Sequence, residues 1–510
     1  MIISLSVLVI TIIVSGTYAL YKAQLSKNIG VNTTTHGLAY YINYVKGTDI
    51  TAATLNPSTS YEGGVSSDIE FWKKDDSYDI YGKIELTVNT IGTNLSNSPA
   101  LKYAVVNNGN VLKEGSLKGT TSGSKVTILK NLYLEQTKQI YTVYVWLDNS
   151  EELGNISNES LSISVDCTAS LQKEPTAADT IISLYTSAAK VTATNNSITY
   201  NTAPSVSLMN DRLGGTTTDL DGGNIRYYGA NPNNYIYFNC SDYSNQTSST
   251  CETWRIIGVF DGKLKLIKGS QIGTYSWDNK NISTGAEDDR GKNDWTTARL
   301  MKLLNPDDYY INDNNDKDSE GNYLGYSLYY NSASGMCFTD EGVNYSACDF
   351  TSTGIKNDET RNMIAETTYN LGGWNDTGVY PNEIYEYERG TTVYTDRPTT
   401  WTGKIALAYP SDYGYAADLN QCKQTLANYD NSTCTSNNWM KAIITDNGSN
   451  HGWLLTPDSS YSYVAWYSHG NVGEYFTGAA RGAVPVLSLS SKLGIESGDG
   501  SSSNPYKLSA

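Results

Sequence analysis

Six of the seven cysteines stand in three close pairs, Cys240/Cys251, Cys337/Cys348 and Cys422/Cys434, with ten, ten and eleven residues between partners. None of these spacings is the CxxC of a zinc knuckle or a redox motif. They suit local disulfides that staple polar surface excursions, each worth roughly 2–4 kcal/mol. Disulfides require an oxidising, extracytoplasmic setting; the alternative is six reduced thiols in a cytosolic protein. Cys167 is left over, buried or free.

A chain of 510 residues exceeds one typical core, so two or three domains are expected. Nucleic acid is an unsuitable partner: the net charge is −17, and neutralising phosphates needs clustered Lys and Arg. Forty-one tyrosines against six phenylalanines, with 44 glycines, favour β-structure with long polar loops over helical bundles. The three histidines, His36, His451 and His469, are scattered, and no spacing suggests a metal site or triad.

Residues 2–21, IISLSVLVITIIVSGTYALY, carry no charge and are long enough to span a bilayer as a helix. They read either as an uncleaved signal-anchor or as a secretory signal cut near Ala19; Tyr18 suits cleavage poorly, so the expectation is a transmembrane anchor over 1–22. Lys22 and Lys27 follow the helix, and the positive-inside rule would leave that side in the cytoplasm. The cysteine pairs argue the opposite and take precedence, because large domains translocate largely regardless of charge.

From 30 to 167 the pattern is β. Residues 84–88 and 140–147 alternate, the latter with Tyr141, Val143, Val145 and Leu147 on one face. Asn108-Gly109 marks a hairpin, and further runs lie at 38–45, 69–72, 126–129 and 161–165. The expectation is a β-sandwich stalk over 30–167. Residues 168–201 read as a linker with a short amphipathic helix at 177–189, carrying Ile181, Leu184 and Tyr185 on one side. Residues 202–510 read as an α+β domain. Asp261-Gly262 is its hairpin turn, helices follow Asp294-Trp295 and span 358–370, and strands lie at 405–408, 453–455, 464–467 and 484–489.

Two resemblances add to this. The apolar segment, the GTYALYK junction and strands such as YTVYVWLDN loosely resemble secreted surface and fibre proteins of the camelysin/TasA type, which implies a structural, assembling role as a rival function. The series WRIIGVFDGKLKLI, NDWTTARLMKLLN, WTGKIALAYPSDYGY and WLLTP…VAWYSHGNVG…RGAVPVLSL resembles an uncharacterised bacterial surface domain of C-type-lectin-like and formylglycine-generating-enzyme-like fold. One departure is Gly482-Ala483-Val484-Pro485, where that family commonly reads Gly-Val-Arg-Pro. The resemblance implies a binding face in the residues before the last strand.

Residues 458–477 lie there, packed with Tyr, Ser, Trp, His and Asn between apolar strands. Tyr and Trp give contact area at little rotamer entropy, and Ser and Asn give adaptable hydrogen bonds. Tyr461, Tyr463, Tyr467, His469, Asn471, Glu474 and Tyr475 are the candidate ligand-binding residues, as aromatic platforms and hydrogen-bond partners. The bland reading is a loop whose aromatics cap the core. The acidic run with Asp313, Asp316, Asp318 and Glu320 lacks the final Glu of an EF-hand loop, Ser327 standing there, and no metal or other cofactor is expected. No motif selects a catalytic pair. The expectation is therefore a membrane-anchored cell-surface adhesion protein that binds a glycan or protein ligand without turnover; the alternative is a subunit of a surface fibre.

Overall fold

The computed structural model describes residues 23–24, 41–52, 54–154, 156, 159–214, 222–278, 290–305, 328–331, 336–338, 345–347 and 349–509. Strands dominate, and the chain divides into two compact units at Glu174/Pro175.

The first unit is a two-sheet sandwich. One sheet runs Ala23–Gln24, Leu161–Ser170, Tyr81–Ile91, Lys125–Tyr133, with Ile50–Ala52 also paired to Leu161–Ser170. The other runs Ile42–Val45, Val65–Lys73, Ile140–Asp148, Leu101–Asn107, Asn110–Ser116, with Pro57–Ser58 beside Ile140–Asp148. Alternation turns one side of each strand inward. Ile84, Leu86, Val88, Ile163 and Val165 from one sheet meet Ile69, Phe71, Tyr141, Val143 and Val145 from the other in a single core. Burying each large aliphatic side chain there contributes about 1.5–3 kcal/mol before entropy is charged. Asn108 and Gly109 adopt φ of 50° and 77° between the paired Asn107 and Asn110. Positive φ at both central residues is what the tight hairpin turn demands.

Cys167 lies on Leu161–Ser170 and faces this core, fully buried. Burial, aided by the charges of Asp166 and Glu85, pushes its thiol well above the ordinary range. A thiol that stays protonated and covered is inert. A maleimide should therefore leave Cys167 unmodified in the native protein and label it in denaturant, read by peptide mapping; native labelling would remove Cys167 from the core.

The second unit is built on two larger sheets. One has nine strands, running Val191–Asn195, Ile198–Ala203, Leu208–Asn210, Ile225–Tyr227, Glu252–Phe260, Lys263–Lys268, Val486–Ser488, Ile405–Ala406, with Tyr235–Phe238 also paired to Glu252–Phe260. The other runs Thr274–Ser276, Ala480–Gly482, Gly452–Pro457, Val464–His469, Asn471–Phe476. Ile256, Leu266, Trp453, Leu455 and Ala465 enter one hydrophobic cluster, while Ile257, Ile267, Leu454 and Trp466 enter another. Gly452–Pro457 is thus covered on both faces, which is why Trp453-Leu454-Leu455 is an apolar run without alternation. Asp261-Gly262 turns the Glu252–Phe260/Lys263–Lys268 hairpin, with φ of 48° and 70°.

Two sequence readings change. Residues 168–201 are not a linker. Residues 168–170 finish the last sandwich strand. The helix Ala177–Ser187 is capped reciprocally by Thr176 and Asp179 and buries Ile181 and Tyr185 in the second unit. Val191–Asn195 and Ile198–Ala203 then open the nine-stranded sheet. The 358–370 helix is also shorter than expected. Asn357 caps Asp358–Met363, and Thr367–Asn370 instead pairs as a strand with Thr400–Gly403, in keeping with its β-branched Thr367 and Thr368. Helix Arg299–Leu304 begins after Ala298, with Leu300, Leu303 and Leu304 buried.

Disulfides join Cys240 to Cys251 and Cys422 to Cys434. The third pairing, Cys337 with Cys348, lies outside the described residues, as do the apolar stretch 2–21 and the acidic run 313–320. Among the described residues no helix is long and apolar enough to cross a membrane, and no group of three or more metal-ligating side chains converges.

A buried ion cluster lies in this second unit. Arg226 donates from Nε to Asp211 at 2.6 Å and from Nη1 to Asp412 at 2.9 Å, while Lys265 contacts the other Asp412 oxygen. Phe260 and Tyr415 flank the guanidinium at 4.6 and 4.7 Å. Burial alone would raise the Asp412 carboxyl, but Lys265 and Arg226 outweigh it and hold the group below the usual carboxylate range. Its stabilising contribution is present above the unfolded carboxylate pKa of about 3.9 and is lost as pH falls through the lower folded value. Asp412→Ala strands two cations in the interior and should cost about 3–5 kcal/mol in chemical denaturation. A loss below about 1 kcal/mol would show that the cluster is solvated.

Candidate ligand-binding face

The candidate block occupies the outer part of the five-stranded sheet. Gly452–Pro457 is its fully buried centre, fixed by tryptophan indoles that donate to backbone carbonyls: Trp453 to Tyr275 at 2.8 Å and Trp277 to Leu454 at 3.1 Å. Val464–His469 pairs with it and is anchored by the Trp466 indole on the Trp374 carbonyl at 3.2 Å. Asn471–Phe476 is the edge. The hairpin tip at Gly470 takes φ of 99°, and the buried Tyr413 hydroxyl donates to the Gly470 carbonyl at 2.6 Å. The tip is tied to the core.

Register sorts the seven candidates. The pairs Ala465↔Tyr475, Tyr467↔Gly473 and His469↔Asn471 place Tyr467, His469, Asn471 and Tyr475 on one face. Gly473 makes room for Tyr467: a Cβ there would lie 3.1 Å from the Tyr467 ring. Tyr467 stacks on His451 with centroids 5.0 Å apart and meets Tyr475 edge-on at 6.3 Å; His469 meets His451 at 4.0 Å. Tyr461 and Tyr463 stand in the loop between Pro457 and Val464. Tyr463 leans on Phe476 at 5.7 Å under Arg290, whose guanidinium lies 3.6 Å from its ring centroid. Tyr475 and Phe476, 5.1 Å apart, connect the two groups into one aromatic row. Tyr461 and Tyr475 are 54% and 40% exposed.

Glu474 does not belong to this face. It opposes Trp466 on the other side of the sheet and pairs with Asp458. Asp458 is fully buried, and its Oδ1 accepts the Ser460 and Tyr461 amides at 2.6 and 2.8 Å, closing the loop. The Asn293 side chain ties the same loop by donating to the carbonyls of Asp458, Tyr461 and Val464. Burial pushes the Glu474 carboxyl up to about 7, and the Asp458 charge, the hydrogen bond to Asp458 and the Asp376 charge add to it. Burial raises Asp458 too, against the Ser460 and Tyr461 amides and the hydrogen bond from Glu474. The proton therefore sits on Glu474, whose hydroxyl donates to Asp458.

Asp458, Asn293, His451 and Arg481 escaped sequence reasoning. The Asp-Ser-Ser-Tyr spacing of an Asx turn was the available signal for Asp458; the other three are brought in by long-range pairing.

A raised carboxyl favours folding while protonated. The Glu474 contribution is complete below about 4.3 and is lost as pH rises through the folded value. Glu474→Gln keeps a donor without the charge, so its melting temperature should gain on the parent's as pH rises from about 5 to about 8. A difference that stays flat with pH would show that the two carboxyls do not share a proton.

No protein-family model matches the chain, and no curated protein matches it. Solved structures overlay only slightly. The CBM51-2 and INT domains of Clostridium perfringens ZmpB match at 12% identity and TM-score 0.14, over 29% of this chain and 30% of that one. The same protein in complex with GlcNAc matches at 12% identity and TM-score 0.12, over 28% and 30%. The receptor binding domain of botulinum neurotoxin mosaic serotype C/D matches at 10% identity and TM-score 0.15, over 53% and 76%. Overlays this slight carry no inference about fold or ligand, and they lend no support to the lectin-like or camelysin/TasA-type resemblance.

Proposed function

We propose that the chain is a non-catalytic binding protein of the lectin-like kind, displayed on a cell surface by residues 1–22, whose second unit recognises a glycan along the aromatic row. One observation carries this reading: Tyr461, at one end of a row of ring contacts, and Tyr475, within it, are exposed, and the row rests on the strands of a buried sheet. Aromatic rings held in place offer sugar rings a flat apolar surface without loss of rotamer entropy on binding. The carboxyl pair Asp458/Glu474 has a structural task, holding the loop to the edge strand, which supports a reading of recognition without turnover.

A second reading, an assembling fibre subunit, rests on the outermost strand Asn110–Ser116 of the first unit, where Val111 and Leu112 are 43% and 40% exposed. Unpaired strand edges with apolar side chains are templates for further strands. Sedimentation of the full chain separates the two, since a monomer at high concentration contradicts the fibre reading.

The binding reading predicts hits for the full chain on a glycan array, with Tyr461→Ala and Tyr475→Ala each weakening them about tenfold or more. Equal signals for parent and both variants would refute it. Both side chains are surface-exposed, so unchanged melting temperatures would show that the variants fold.

A further inference from the structure

Resting on that binding reading, the structure assigns the ligand of the aromatic face a negative charge: a sugar bearing a carboxylate or sulfate, held by Arg481 between Tyr467 and Tyr475.

Arg481 lies on Ala480–Gly482, with Gly452–Pro457 and Val464–His469 between it and the edge strand Asn471–Phe476. Its guanidinium is 4.3 Å from the Tyr475 ring centroid and 5.3 Å from that of Tyr467. Nη1 donates to the neighbouring Ala480 carbonyl at 3.1 Å, and the buried Nε has no hydrogen-bond partner. No carboxylate is paired with it among the described residues. Arg226, Arg361 and Arg389 of this unit have carboxylate partners, and the buried Arg255 instead donates to Asn234 and the Pro232 carbonyl. In a chain of net charge −17, with acids to spare, an arginine left unmatched on an aromatic platform is available to a ligand.

A second unmatched polar group stands beside Tyr467. His451, which precedes Gly452–Pro457, stacks on that ring, and its Nδ1 is buried without a partner. Burial and the charges of His469 and Arg481 lower its pKa and favour the neutral imidazole, which leaves Arg481 as the charge of this group. Asn471 and Tyr475, on the same face as Tyr467, supply polar and apolar contacts. A guanidinium fork matches carboxylate and sulfate oxygens with two parallel hydrogen bonds, and the flanking rings take the apolar side of the sugar.

The test titrates the full chain with a panel of uronic-acid oligosaccharides, each also presented as its methyl ester, alongside sulfated galactan and poly-glutamate. Acids should bind at least tenfold more tightly than their esters. Arg481→Gln should erase that preference while leaving the weak ester binding intact, and Arg481→Lys should restore it in part. Sulfated galactan binding above the uronic acids, with the same Arg481 dependence, upholds the anion site and assigns sulfate as its source. Equal binding of acid and ester, or a preference untouched in Arg481→Gln, overturns the inference while the aromatic-face reading stands. Poly-glutamate binding without any sugar binding overturns both in favour of an acidic peptide, and no binding to any glycan overturns both.

Discussion

The buried cluster of Arg226, Asp211, Asp412 and Lys265 constrains the second unit more than any other contact, because each member comes from a different stretch. Arg226 is on Ile225–Tyr227, Lys265 on Lys263–Lys268, Asp412 at the start of Pro410–Tyr415, and Asp211 follows Leu208–Asn210. Charges of this kind are costly to desolvate, and only a complete set offsets the cost. Hydrophobic burial would accept many registers of these strands; a charge-balanced buried ion cluster accepts few. Asp412 serves two purposes at once, since its Oδ2 also accepts the Tyr409 amide at the helix start. The helix carrying it includes Tyr413, whose hydroxyl holds the Gly470 carbonyl. One bond pattern therefore runs from the ion cluster to the hairpin tip of the candidate face.

The strand Gly452–Pro457 transmits that order. It is buried along its whole length, with Trp453 and Leu455 turned to one cluster and Leu454 to the other. A strand packed on both sides cannot slip without moving every side chain to the wrong core. The exposed rings on the next two strands inherit its position. This is the physical content of a rigid frame under an adaptable surface.

How much of this could be read in the sequence depended on whether one face of a strand meets water. In the sandwich it does, so alternation in 84–88 and 140–147 gave strands and inward faces correctly, and Asn108-Gly109 gave the turn. In Gly452–Pro457 of the second unit two-sided burial erases alternation, and its apolar run and the Asp261-Gly262 turn were the visible signals. The edge strand Asn471–Phe476 carries Gly473 and Glu474, neither a strand former, and was read as loop. Its residues are strand because the Gly470 turn and the Tyr467 ring over Gly473 make them so. Thr367–Asn370 falls within the span 358–370 read as helix; its partner Thr400–Gly403 lies too far along the chain to be seen. Of the seven candidate residues, Tyr467, His469, Asn471 and Tyr475 share one face, Tyr461 and Tyr463 stand in the adjoining loop against Phe476, and Glu474 turns away.

Edge-strand alternation explains that exception and also what the two sides do. Tyr475 and Glu474 are adjacent, so a pleated strand must send them to opposite faces. Toward one side the strand presents rings and an unmatched arginine. Toward the other it presents a carboxyl that can remain there only by holding a proton for Asp458. A cation placed beside Glu474 would have ionised it; the proton-sharing pair uses none, while Arg397 ties the same loop elsewhere by donating to the Ser462 carbonyl at 3.2 Å. The unmatched cation therefore stays on the ring side, 4.3 Å from Tyr475. Separating an acid pair from an arginine by the thickness of one strand keeps them from neutralising each other, which is the condition for the ring side to recognise an anion in a chain whose net charge is −17.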